Sequence, residues 1–242
     1  MKRLFWLHIK KSGGMSTRQL LRNHYVQVDR SKKPYCFLLA KEPEYNDILN
    51  NYRIPLGEYQ FKRTLFAREW LYKDVWHEMV SFAFCREPLS RCISAFFYLW
   101  EAEAQRRAWL PSFNGALNAH GYGLDYSFDQ FLDAVVACRD SGSNFSPMGL
   151  HFSTHTATMW DDVTDSGGSI LLSNIFRLED LIHGINHVFS VCGVPDKAKP
   201  LLRDINTNET KRPFTPSRHH IAKVEDLYGK DFELYETYGR LF

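Results

Sequence analysis

The sequence predicts an α/β protein: a three-layer α/β/α arrangement with a mainly parallel central sheet and a P-loop-like strand–loop–helix. Three observations predict it. Short, nearly continuous apolar segments recur at residues 4–9, 35–40, 80–85 and 170–176, the pattern of strands covered on both faces. Segments with helical spacing lie between them, and such alternation from the first residues favours parallel pairing. The first apolar run leads straight into Lys11-Ser12-Gly13-Gly14, where a strand hands over to a helix.

In chain order, residues 4–9 form the first strand, and residues 16–24 a helix with Leu20 and Leu21 among its apolar members. Residues 35–40 (Tyr-Cys-Phe-Leu-Leu-Ala) read as a buried strand. Residues 42–57 carry Pro43, Pro55 and Gly57 and read as a loop with one helical turn; 66–76 read as a helix. Residues 80–85 are a strand, followed by the turn Arg86-Glu87-Pro88 and a helix over 89–104. Pro88 suits the first helical position, where no N–H is needed. Residues 109–126, rich in Gly, Asn and aromatics, form an irregular excursion. Residues 127–136 form a helix capped by Ser127, with Gln130 three residues on and Phe128, Phe131, Leu132 and Val135 on its apolar face. Residues 140–152 are loop-like, with His151 and His155 near their end. A strand over 170–176 precedes a helix over 178–191 that ends at Gly193. A polar loop at 206–216, a helix at 217–228 and a short one at 231–238 complete the chain. With no internal repeat, one domain over residues 1–242 is expected.

Composition narrows the function. Of 242 residues, 44% are hydrophobic and 24% charged, and the net charge of +2 is too small to argue for nucleic acid. The cysteines (Cys36, Cys85, Cys92, Cys138, Cys192) are odd in number and form no CxxC pair, so buried free thiols in a reducing compartment are expected, and no metal site. His183 and His187 stand four apart without a suitably spaced third ligand. No run approaches 18 apolar residues, and the N-terminal apolar run is too short for a signal peptide. A cytoplasmic protein without stable membrane insertion is the expectation.

Two constellations carry chemistry. Lys11-Ser12-Gly13-Gly14 lets the backbone approach an anion, and successive N–H groups at a helix start with a lysine beside them suit phosphate. The order is neither a Walker A loop nor GxGxxG, and it fits one phosphate group rather than two or three. The alternative is an ordinary turn with a surface lysine. In the second constellation, Arg86 ends a strand and Ser94 lies about two turns into the next helix, sharing a face with Ser90. An arginine fork and a hydroxyl suit a second phosphate; the alternative is a solvated helix start with a surface Arg91 and an incidental serine. In α/β sheets such loops share the rim beyond the strand C-termini.

His8-Ile9-Lys10-Lys11-Ser12-Gly13-Gly14-Met15-Ser16 resembles the 5′-phosphosulfate loop of sulfotransferases similar to the carbohydrate and heparan sulfate 2-O enzymes, and the Arg86–Ser94 pattern resembles their 3′-phosphate motif. Weaker echoes follow in the family's order: Leu150-His151-Phe152, residues 176–181, 206–212, and 231–235. The resemblance implies that Lys11, Ser12, Gly13, Gly14, Met15, Ser16 and Thr17 hold the 5′-phosphosulfate of 3′-phosphoadenylyl sulfate (PAPS), and that Arg86 and Ser94 hold its 3′-phosphate. It implies an O-sulfotransferase acting on a hydroxyl acceptor, a carbohydrate or glycolipid, with 3′,5′-bisphosphoadenosine (PAP) as product. The excursion at 109–126 would wall the acceptor cleft.

Two departures stand out. Lys10 occupies a position where the family usually has proline, and in Tyr52-Arg53-Ile54-Pro55-Leu56-Gly57 an arginine replaces the histidine that often acts as base. Base candidates are therefore His77, Glu42, Glu58 and His151, with Glu58 and His151 foremost. His219 and His220 beside Arg218 suit either an anionic acceptor or solvent. Two other readings stay open, an ATP-dependent small-molecule kinase and a nucleotide-binding interaction protein without catalysis.

Overall fold

A computed structural model of the chain describes residues 2–24, 37–51, 54–100, 124–140, 147–196 and 214–239. Three parallel strands form its sheet: β1 (Arg3–Leu7), β2 (Met79–Cys85) and β3 (Asn174–Arg177), in spatial order β1-β2-β3. Leu7 pairs with Ala83 and Cys85 with Arg177, so the strands end together on one rim.

The period-2 alternation of the strands decides the layers. Phe5, Leu7, Met79, Ala83, Cys85 and Ile175 face one cluster, with α2 (Tyr45–Asn50), α3 (Arg63–Phe66) and α7 (Met159–Val163). Trp6, Val80, Phe82, Phe84 and Phe176 face the opposite cluster, with α1 (Gly14–Leu21) and α8 (Leu181–Cys192). Helices thus cover both faces, as the continuous apolar strands require. A third cluster lies beside the sheet. It joins α4 (Pro88–Leu99), α5 (Leu124–Asp140), α6 (Pro147–Thr156) and α9 (Arg218–Thr237) around Phe96, Trp100, Phe128, Phe131, Phe152 and Tyr228. Each such side chain taken fully from water contributes about 1.5–3 kcal/mol.

Several elements differ from the sequence reading. β1 ends two residues early, because Ile9 N–H turns back to the Leu7 carbonyl. Within the expected strand 35–40, Phe37–Leu39 is a 3-10 turn with Leu38 and Leu39 exposed, and residues 35 and 36 lie outside the described residues. The helix expected at 66–76 starts at Arg63 and continues as a π-helix over Ala67–Leu71, where Tyr72 N–H reaches the Ala67 carbonyl five residues back. Ser127 is buried inside α5 rather than capping it, because the helix already begins at Leu124. The loop expected at 140–152 holds α6 from Pro147, anchored by buried Leu150 and Phe152; Ser153 and Thr156 donate to the carbonyls of Gly149 and Phe152. β3 begins at Asn174, and Ile170 only bridges Thr164. α9 is interrupted at Tyr228, whose φ of −129° and ψ of 23° are non-helical, so its two arms match the helices expected at 217–228 and 231–238.

Other readings match. Pro88 opens α4, and Glu87 caps it by accepting from Leu89 N (2.9 Å) and Ser90 N (2.7 Å). Gly193 ends α8 in the left-handed region. Cys85, Cys92, Cys138 and Cys192 are free and buried. Arg53, most of the excursion, and residues 206–212 lie outside the described residues. Among the described residues no helix is long and apolar enough to cross a membrane.

Candidate active site

The rim beyond β1 and β2 carries both constellations. After Leu7 the chain crosses to α1 through Lys11 (φ 64°) and Gly13 (φ 72°), the latter at the N-cap of α1. The two left-handed residues fold the loop tightly. A β-carbon at Gly13 would lie 2.2 Å from Leu178 Cδ1, and one at Gly14 1.7 Å from His8 Nε2. Glycine is therefore favoured at position 13 by its left-handed backbone and required at position 14 by close packing against the His8 ring. Ser12 Oγ turns inward toward Met159 Sδ (4.0 Å), and Thr17 Oγ1 donates to the Gly13 carbonyl (3.1 Å). The first-turn N–H groups of α1 have no earlier helical carbonyl to bond, the ordinary condition of a helix start.

Arg86 follows β2 directly and donates from Nη1 to the Lys11 carbonyl (3.4 Å). Burial, and then the Arg86 charge, lower the Lys11 pKa to about 8. Two cations thus stand together in partial shelter from water, an arrangement that an anion between them relieves. Ser94 is buried on α4, and Tyr98 one turn later on the same face meets the loop, with Lys11 Nζ 4.1 Å from its ring centroid. The face of α4 that carries Ser94 and Tyr98 therefore looks onto the glycine loop.

Two buried arginines hold the loop from behind. Arg91 Nε donates to the Lys10 carbonyl (3.1 Å) and Nη2 to the Ala157 carbonyl (2.6 Å), while Nη1 pairs with Asp231 (3.4 Å). Asp231 in turn accepts from Trp160 N (2.9 Å). Arg63 donates from Nη1 to the carbonyls of His8 (3.2 Å) and Leu49 (3.3 Å) and pairs with Asp162 through Nε (2.8 Å) and Nη2. Buried charges persist only when paired and hydrogen-bonded, and both arginines are. Arg91 is thus a buried support, not the surface residue of the bland alternative. Its partner stands 140 residues away in sequence, a separation that no local pattern spans.

His8 stacks on Trp6 (centroids 5.2 Å apart), and its Nδ1 lies 3.0 Å from Asn50 Oδ1; Lys10 Nζ donates to the Asn50 carbonyl (3.2 Å). Burial, then Lys10 and Arg63, depress the His8 pKa well below 6.5.

The base candidates separate. The His151 ring meets Tyr98 edge-on at 5.8 Å, so His151 and Lys11 share one aromatic neighbour. Glu58 is exposed on the turn Gly57–Tyr59. His77 is exposed beside Glu78, before the opposite end of β2, and Glu42 pairs with Arg3. His220 is buried in the cap of α9, where its Nδ1 accepts from Ser217 N (3.2 Å), while His219 is exposed. His155 joins the site from one turn beyond His151; the i,i+4 histidine spacing of residues 147–156 is its sequence signal once that segment is known to be helical.

No curated protein and no solved structure matches the chain. A family model described as the sulfotransferase family matches residues 1–239, a span that contains both rim loops and the helices that brace them. The chain belongs to the sulfotransferase family.

Proposed function

We propose that this protein transfers a sulfuryl group from PAPS to a hydroxyl of a carbohydrate or glycolipid acceptor. The observation that carries the reading is the pairing of Lys11 and Arg86 on one rim, at the start of α1, where Gly13 and Gly14 fold the loop tightly. The residues present fit the donor. Lys11, Ser16 and the backbone N–H groups of Gly13, Gly14 and Met15 would hold its 5′-phosphosulfate; Arg86 and Ser94 would hold the 3′-phosphate. Ser12 and Thr17 turn their hydroxyls inward and donate their N–H groups to the carbonyls of Ile9 (3.3 Å) and Gly13 (2.9 Å), so both shape the loop rather than contact the donor.

PAPS supplies a sulfuryl group whose transfer leaves negative charge on the departing oxygen of PAP. Lys11 and the first N–H groups of α1 are preorganised donors for that charge. A neighbouring base must take the acceptor's proton; of the two foremost candidates, His151 shares Tyr98 with Lys11, and Glu58 stands exposed on its own turn. The free buried thiols support a reducing, cytoplasmic setting.

Calorimetric titration with PAP tests the reading, with ATP plus magnesium as the control. PAP binds the wild type and ATP does not, and Lys11→Ala weakens PAP about 10- to 100-fold, the loss of a charge-assisted hydrogen bond. Folded protein that ignores PAP overturns the donor assignment, and preference for ATP reinstates the kinase reading. PAP binding without cleavage of PAPS leaves a nucleotide-binding interaction protein.

A further inference from the structure

We propose that His155 takes the acceptor's proton at the Lys11 site, an assignment that rests on the sulfuryl-transfer reading above. α6 sets His151 and His155 one turn apart with ring centroids 4.4 Å from each other, and His155 is the more buried of the two. His155 Nδ1 lies 2.8 Å from the His151 carbonyl. A carbonyl only accepts, so Nδ1 carries the hydrogen and the neutral ring keeps its lone pair at Nε2. The ring is stacked on Tyr98 (centroids 5.0 Å apart, planes at 28°), the residue whose ring carries the Lys11 ammonium at 4.1 Å. One phenol ring therefore joins a tautomer-locked imidazole to the cation that would steady the leaving oxygen. The arrangement brings a base and a charge stabiliser to one substrate, as in-line transfer requires.

The groups facing His155 are His8 from the end of β1, Lys10 and Lys11 from the phosphate loop, His151 from its own helix and Tyr98 from α4. Burial, followed by the charge of Lys10, holds its pKa well below 6.5, so the ring is neutral at pH 7. In the step, the acceptor O–H gives its proton to Nε2 as its oxygen bonds to sulfur. The bond from sulfur to the bridging oxygen breaks, its electron pair leaves on the 5′-phosphate of PAP, and the imidazolium returns its proton to water. The His151 side chain does not enter; its backbone carbonyl does.

Imidazole NMR of the ¹⁵N-labelled full chain gives the first test. His155 shows the Nδ1–H tautomer, and PAP raises its pKa, because the bisphosphate offsets Lys10 and Lys11. The second test is His155→Asn, which retains a donor for the His151 carbonyl. This variant binds PAP within about threefold of wild type. Its cleavage of PAPS with octyl β-glucoside, counted together with transfer to water, falls about 100-fold or more and loses its acid limb. Added imidazole restores part of the rate. Turnover of His155→Asn within threefold of wild type, or a His155 pKa unmoved by bound PAP, overturns the proposal while leaving the donor site standing. Failure of the wild type to bind PAP removes the reading beneath it.

Discussion

Lys11 holds a left-handed backbone conformation that costs a residue with a β-carbon about 1–2 kcal/mol. The loop tolerates that cost because both its sides are fixed, by Arg86 on the Lys11 carbonyl and Arg91 on the Lys10 carbonyl. With a pKa near 8 in the free protein, Lys11 loses its charge just above neutrality. PAP affinity therefore declines as pH rises from 7 to 9, and Lys11→Ala flattens that decline; calorimetry across this range measures both. Gly14 offers a sharper structural test. In Gly14→Ala the new methyl collides with His8, so the loop shifts, unfolding free energy drops by about 1–3 kcal/mol in urea titrations, and PAP binding weakens. Lys11, Gly13, Gly14 and Arg86 were legible in the sequence because their signals are contiguous. His155 was not, since its role depends on α6 being a helix.

The elements that shape the site are short and braced from a distance. α7 is a single turn, yet its Asp162 anchors Arg63 and its Trp160 N–H anchors Asp231, so it connects both arginine supports. Arg91→Ala would leave Asp231 buried without its ion pair, and breaking such a pair by removing one partner costs about 3–5 kcal/mol. Urea midpoints check that loss. Paired substitution of Arg91 and Asp231 by apolar residues recovers stability, while PAP affinity stays low because the Lys10 carbonyl remains unheld. Strands β1 and β2, the capped start of α4, and α8 were readable, each from a local pattern of apolar spacing and turn residues. α6 was hidden because its Ser-Pro and Gly-containing stretch has loop composition, and burial of Leu150 and Phe152 overrides it. The apolar segment around Phe37–Leu39 fails in the opposite direction, for Leu38 and Leu39 stand in solvent despite a strand-like sequence.

Across the molecule, histidines kept neutral tie stability to pH. His8 and His155 have native pKa values depressed below 6.5, their ordinary value when unfolded. Between those values the unfolded chain binds more protons, so stability is full above pH 6.5 and is lost as pH falls through the native pKa values. Urea unfolding free energy decreases from pH 7 to pH 5, and His155→Asn reduces that slope. Three clusters build the molecule around the sheet: α1 and α8 on one face, α2, α3 and α7 on the other, and the cluster of α4, α5, α6 and α9 at the side. The fold class and rim position were readable from the alternation of strands and helices, and the supports were not, because they link distant segments.

The reach of α9 across the molecule has a bearing on biosynthesis. The glycine loop leaves the ribosome well before Asp231, the carboxylate that anchors its arginine support. A nascent chain can pair β1 with β2 as soon as residue 85 emerges, but the loop at its rim stays loosely held until α9 has been made. The loop therefore acquires its full support only after Asp231 has been translated, long after its own residues.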